Sequence, residues 1–168
     1  MRTVVGVMGS GEDGDAALLA QARELGAAIA EQGWVLLNGG RAAGVMEASA
    51  RGAAEAGGVV VGVLPDSDLH GASAHLTVAI RTDMGDARNA VNVLSSDVVV
   101  AMRGGAGTLS EVALALKAGR TVIALDFDPG SGFARWRDAG QLVRVGGVAE
   151  AVDAVRIALG TPIEKRMS

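Results

Sequence analysis

Short apolar runs alternate along the whole chain with stretches whose apolar side chains recur every three or four positions, a pattern that predicts strands alternating with helices. Thr3 to Met8 reads as a buried strand. Gly9-Ser10-Gly11 turns it toward a helix with Leu18, Ala22, Leu25 and Ile29 on one side and Gln21, Glu24 and Glu31 on the other. Gly33 closes that helix, Trp34 to Leu37 is a second strand, and Asn38-Gly-Gly-Arg-Ala-Ala-Gly44 is a second glycine loop. The helix from Val45 to about Ala56 sets Glu47, Arg51 and Glu55 at i, i+4 spacing on a face expected to be solvated. Its small residues Ala48, Gly52, Ala53 and Ala56 admit another backbone closely, either the protein's own sheet or a second copy. Gly57-Gly58 ends it, and Val59 to Val63 is a third strand. From Pro65 a polar loop, Asp66 to Ala74, exceeds the usual connection length, and such loops on α/β sheets often cover ligands.

Leu76 to Ile80 is a fourth strand, and Arg81 to Asn89 leads into a helix lasting to about Ser95, with Arg88, Asn92 and Ser95 on one face. Val98 to Met102 is apolar on both alternating faces, as expected of a parallel strand covered by two helical layers. It runs into Arg103-Gly-Gly-Ala-Gly-Thr-Leu-Ser-Glu111. Gly104, Gly105 and Gly107 can take backbone angles closed to other residues, so that successive N–H groups meet in a concavity at a helix start, where a phosphate or carboxylate binds. Thr108 and Glu111 also read as a capping box, and a glycine corner plus that cap is the plainer explanation of the same stretch. The helix Leu109 to Ala118 turns Leu109, Val112, Ala113 and Leu116 inward, Gly119 stops it, and Thr121 to Leu125 is a sixth strand. Phe127, Phe133 and Trp136 cluster around the loop Asp126 to Arg135, either to stack a base or to plug the core at the sheet edge. Leu142 to Val145 is the last strand, and Val148, Val152, Val155 and Leu159 mark the terminal helix. Residues 1–160 are expected to form one Rossmann-like nucleotide-binding domain, with 161–168 as a C-terminal tail.

Strands alternating with helices throughout imply one α/β domain: a doubly wound parallel sheet with helices on both faces. Ligands of such sheets sit at the carboxyl ends of the strands, near the switch in strand order. The glycine loops after the first, second and fifth strands and the Arg88 segment after the fourth all fall at that end. Their convergence favours an anion site over a plain turn. The candidate contacts are Gly9 and Ser10, then Gly39, Gly40 and Arg41, then Gly104, Gly105, Ala106, Gly107 and Thr108.

Composition narrows the chemistry. With 49% hydrophobic but only 2% aromatic residues, the core is packed with Ala, Val and Leu. A net charge of −4 and no basic stripe argue against a nucleic-acid polymer as partner. Cysteine is absent, which excludes disulfides, thiolate zinc sites and thiol nucleophiles. No apolar run approaches the ~18 residues of a membrane span. Glu12, Asp13 and Asp15 stand where a signal peptide would need small residues, so a cytoplasmic protein is expected. Gly6-x-x-Gly-x-Gly11 lacks dinucleotide spacing, no phosphate-binding G-x-x-x-x-G-K-[ST] occurs, and Ser10 and Ser110 have no obvious histidine base. His70 and His75 lack a third donor at ligand spacing, so no metal is expected. Glycine loops, one arginine and one carboxylate remain. Arg88 suits a phosphate or ribose contact, and an ionised Glu111 would stabilise the oxocarbenium formed when a ribosyl bond to a base breaks.

At these residues the chain resembles the LONELY GUY (LOG) family, whose members act as cytokinin riboside 5′-monophosphate phosphoribohydrolases. Arg103 to Glu111 is similar to that family's P-G-G-x-G-T-x-x-E signature, Gly39-Gly-Arg-Ala-Ala-Gly-Val-Met46 to its second glycine motif, and Gly57-Gly to Leu64-Pro65 to the strand that follows. The resemblance covers Thr3 to Leu125 and is closest to the branch containing the molybdenum-cofactor carrier proteins. It implies that Arg88 and Glu111 are catalytic and that Met84 lies near the ligand. It also implies a homodimer or higher homo-oligomer that needs no cofactor. Two functions follow. One is release of a base from a nucleoside 5′-monophosphate. The other is non-catalytic binding of a nucleotide or molybdopterin-type ligand, favoured by Arg103 in place of the signature proline and Asn89 in place of a lysine. Either way the expected partner is a small phosphorylated molecule, not a membrane.

Overall fold

The computed structural model describes residues 1–12 and 15–160; the expected tail lies outside them. The elements run β1 (Val4–Met8), α1 (Ala16–Glu31), β2 (Val35–Asn38), α2 (Gly44–Glu55), β3 (Val59–Leu64) and β4 (Val78–Arg81). A 3-10 turn, Gly85–Arg88, then continues into α3 (Asn89–Leu94), followed by β5 (Val98–Ala101), α4 (Ala106–Lys117) and β6 (Thr121–Leu125). A second such turn, Ser131–Phe133, leads into α5 (Ala134–Asp138), β7 (Leu142–Val145) and α6 (Val148–Ala158). The strands form one all-parallel sheet in the order β4-β3-β2-β1-β5-β6-β7. The chain therefore winds outward from β1 to β4, returns to the centre at β5, and winds out the other way. The switch lies between β1 and β5, as a Rossmann-like doubly wound domain requires.

The continuous apolar strands have a simple cause. Val5 and Val7, Val98, Val100 and Met102, and Ile123 and Leu125 point into one core with α1, α2 and α6. The alternate residues Met8, Val99, Ala101, Val122 and Ala124 point into a second core with α3 and α4. The inner strands β1, β5 and β6 therefore have two buried faces, whereas the edge strand β4 is largely exposed. Phe127, Phe133 and Trp136 pack against the second core, so the aromatic cluster plugs the sheet rather than stacking a base. Arg135 lies over the Trp136 ring, 3.9 Å from its centroid.

Three expectations need correction. Helix α4 begins at Ala106, not Leu109, and its buried stripe is Thr108, Glu111, Val112, Ala115 and Leu116, which leaves Leu109 outside the core at 36% exposure. Its N-cap is therefore Gly105, and Thr108 and Glu111 form no capping box, because both already lie within the helix. On α2, Arg51 and Glu55 are exposed as predicted, but Glu47 is half-buried and faces His75, Oε1 to Nε2, at 3.4 Å.

The small residues of α2 meet α1 of the same chain. A Cβ on Gly26 would lie 2.0 Å from the Ser49 carbonyl oxygen, and one on Gly52 would lie 2.0 Å from that of Arg23. Gly52 is thus taken up by α1 rather than by the sheet. Among the described residues no helix is long and apolar enough to cross a membrane.

Candidate functional site

At the switch point the loops leaving β1 and β5 diverge around a cleft of about 730 Å³. The two loops are held together at its floor. Ser10 N–H donates to the Arg103 carbonyl at 3.1 Å, and a Cβ on Gly104 would lie 2.2 Å from Thr108 Oγ1 and 2.8 Å from Ser10 N. The third glycine loop was expected to use left-handed backbone angles, but Gly104, Gly105 and Gly107 are not among the positive-φ residues, and Gly105 has φ −88°. What these glycines supply is room. Positions where Gly105 and Gly107 would carry a Cβ have nothing within 4 Å, so the start of α4 stays open to the cleft.

The two helix starts at this cleft differ. Asp15 caps α1, its Oδ1 accepting from the N–H groups of Ala17 and Leu18 at 3.1 Å each. α4 has no side-chain cap at Gly105, so its first-turn N–H groups and the positive end of its dipole face the cavity. Arg103 pairs with Asp15 across the gap between those helix starts.

Buried Asn38 fixes the second glycine loop. Its Nδ2 donates to the Met46 carbonyl at 2.9 Å and to Ser49 Oγ at 3.1 Å, and its Oδ1 accepts from Gly40 N–H at 2.8 Å. This brings Gly39 against Arg88: a Cβ there would lie 2.6 Å from Nη1 and 2.7 Å from Nη2. Gly9, Ser10, Gly39, Arg88, Gly104, Gly105, Gly107, Thr108 and Glu111 thus share one cleft. Gly40 is buried, Ala106 and Met84 are outside the lining, and Met84 is 47% exposed. Arg41 lines an adjoining lobe and pairs with Asp66 at 2.8 Å. The 66–74 loop is fastened beside the second glycine loop by Ala42 N–H to Gly71 O and Ser73 N–H to Gly40 O, each 2.9 Å.

Arg88 and Glu111 face each other inside the cleft, Nη1 to Oε1 at 3.8 Å, with side chains only 12% and 8% exposed. That distance exceeds a hydrogen bond, and Arg88 Nε is buried with no partner among the described residues. Burial lowers the Arg88 pKa, partly offset by Glu111 and Asp86. Burial also pushes the Glu111 carboxyl up to about 7, against the opposing pull of a hydrogen bond from Asn92 and the charge of Arg88. Glu111 is therefore divided between acid and carboxylate at neutral pH, rather than fully ionised. Asn89, at the family's lysine position, donates to Ser110 Oγ at 3.2 Å. Sequence reasoning passed over Glu12, Met46 and Asp86 in the lining. It also missed the hydrogen bond from Asn92 to Glu111, whose signal was the place of Asn92 one turn after Arg88 on the same helical face.

A family model described as the SLOG cluster4 family matches residues 2–152. The chain belongs to this family. Among solved structures, the molybdenum cofactor binding protein of Rippkaea orientalis superposes with a TM-score of 0.89 at 42% identity, covering 95% of this chain and 98% of that one. The molybdenum cofactor carrier protein of Chlamydomonas reinhardtii gives 0.88 at 43% identity, covering 96% and 100%. A cytokinin riboside 5′-monophosphate phosphoribohydrolase of Mycobacterium tuberculosis is 38% identical over 99 residues, 58% of this chain and 53% of that protein. This member of the SLOG cluster4 family is thus LOG-like and close to the molybdenum-cofactor carriers.

Proposed function

We propose that the cleft binds a small phosphorylated ligand of the nucleotide or molybdopterin type, holding it as a carrier does rather than consuming it. The observation that carries this reading is the uncapped start of α4 beside Arg88. N–H groups at a helix N-terminus and a guanidinium with donors to spare present what a phosphate monoester accepts. The likeness to the carrier proteins over nearly their full length supports the carrier role. Gly104 to Thr108 would take the phosphate, with Gly9 and Ser10 closing over it. Arg88 would reach the phosphate or the adjoining sugar or pterin.

Ligand-induced stabilisation tests this. A nucleoside 5′-monophosphate or a pterin phosphate at ~100 times its dissociation constant should stabilise the protein by ~2.7 kcal/mol. Flat melting curves with both ligand classes would overturn the proposal. Arg88→Met should weaken binding ~10- to 100-fold, the range for losing a charge-assisted contact. It also removes the charge that faces Glu111, so the carboxyl should take a proton more readily in the ligand-free variant. Equal affinity in the variant would exclude Arg88 from the site.

A second reading rests on the Arg88–Glu111 pair. Ionised Glu111 would stabilise positive charge at the anomeric carbon while the C1′–N bond breaks; water supplies the new C1′–O bond, and its proton leaves with the base. Ribose 5-phosphate and free base in equal amounts, lost in Glu111→Ala, would support it; no release at high protein concentration would sink it.

A further inference from the structure

The strongest unassigned feature is a buried amide behind Glu111. Asn92 on α3 has no exposed surface, and its Nδ2 donates to Glu111 Oε1 at 2.8 Å. One turn later, Ser96 Oγ donates to the Asn92 carbonyl at 2.8 Å and ties down the end of the helix. Asn92 Oδ1 is buried and has no hydrogen-bond partner among the described residues. A polar atom left without a partner in a core is costly, so this amide is dearer than an apolar side chain that only filled the space.

We propose that Asn92 is the positioning residue for Glu111: it holds Oε1, the carboxyl oxygen that faces Arg88, fixes how the group is presented to the cleft, and governs how readily it takes a proton. An amide suits that task. Its NH₂ donates to a carboxylate, and when the amide turns over its oxygen accepts from the acid, so either state of Glu111 finds a partner. An apolar residue supports neither state, and a second acid would repel one of them. The inference rests on the proposed function only where it concerns the ligand.

Among the described residues the other charged groups around Glu111 are few. Arg88 lies 3.8 Å away, Asp86 is on the same 3-10 turn, Glu12 and Asp15 line the cleft from the β1 loop, and Arg103 lines it from the β5 loop. Arg103 and Asp15 pair with each other. The nearest opposing influences on the carboxyl are thus Arg88 and Asn92, and both favour its ionised form.

The Glu111 carboxyl can be titrated directly in the full chain by carbon NMR with labelled glutamate, assigned through Glu111→Gln. Asn92→Leu should raise its midpoint above the starting value of about 7, by about one unit if the hydrogen bond to a charged group has its usual strength. Ser96→Ala, which removes only the helix-end contact, should leave the midpoint in place. An unmoved midpoint in a folded Asn92→Leu protein would overturn the assignment. If that variant does not fold, Asn92→Ala carries the same expectation and the same reversal. AMP is the probe for the cleft: the pH dependence of its affinity should shift with the carboxyl midpoint in the Asn92 variants. An affinity profile that stays put while the midpoint moves would remove Asn92 from any role in the site. Failure of AMP to bind at any pH would count against the proposed function, leaving the carboxyl titration to decide the role of Asn92.

Discussion

Gly26→Ala is expected to destabilise the protein by about 3 kcal/mol and to lower its melting temperature by roughly 6–12 °C. The added methyl would lie 2.0 Å from the Ser49 carbonyl oxygen, 2.9 Å from its carbon and 3.0 Å from Ala53 N. All of these are backbone atoms of α2, so no side chain can swing aside. Relief requires α1 and α2 to separate along their whole contact, opening voids between apolar residues on both sides. Alanine's better helix propensity, worth ~1 kcal/mol over glycine, offsets only part of that cost. Gly52→Ala should behave alike, because its methyl would meet the Arg23 carbonyl oxygen at 2.0 Å. The two substitutions combined should cost less than the sum of their separate effects, since one separation of the helices relieves both clashes. Thermal and urea unfolding measure each effect; a neutral or stabilising Gly26→Ala would mean that backbone contact does not set the α1–α2 spacing.

Stability should also fall as pH rises from about 4.5 to beyond 7, with Glu111 responsible for about 3 kcal/mol of the fall. The sign follows from the direction of its shift. Its pKa when folded, about 7, lies above the ordinary 4.5, so in that interval the folded state binds a proton that the unfolded chain does not. The stabilisation is complete below 4.5 and is lost as pH rises through 7. Exposed carboxylates with lowered values, Glu55 and Asp128, act in the opposite sense at lower pH and cancel between variants that retain them. Glu111→Gln, similar in size and unable to ionise, should flatten the slope and be the more stable protein at pH 8. Urea midpoints for both proteins across that range provide the measurement, and parallel curves would show that Glu111 stays charged.

Such a group has a functional sense. A carboxyl kept from solvent beside an arginine is costly to fold, and in the proposed function a ligand that offered it a partner would relieve part of that cost. The same burial that weakens the protein at neutral pH leaves Glu111 able to give or accept a proton where a ligand would lie.

The alternation of apolar runs and helical spacing sufficed for the single α/β domain and the parallel sheet, because two buried faces force both faces of a strand to be apolar. That Gly39, Gly104, Arg88 and Glu111 line one cleft was also legible, since a doubly wound sheet carries its loops to one end. Local pattern misplaced the start of α4 by three residues: Gly105 caps a helix less visibly than threonine does, and only packing against the sheet shows that Thr108 and Glu111 already turn inward. It likewise left the partner of Gly52 open, because a small residue records that a backbone comes close but not which one. What the sequence by itself determined is periodicity, and with it the layers, the order of elements and the end of the sheet where the loops gather around a cleft. What only the tertiary structure decided are distances between residues remote in sequence: the 3.8 Å between Arg88 and Glu111, and the 2.8 Å between Asn92 and Glu111. The proton affinity of Glu111 depends on those distances and on exclusion of water, and neither is written in the spacing of residues along one chain.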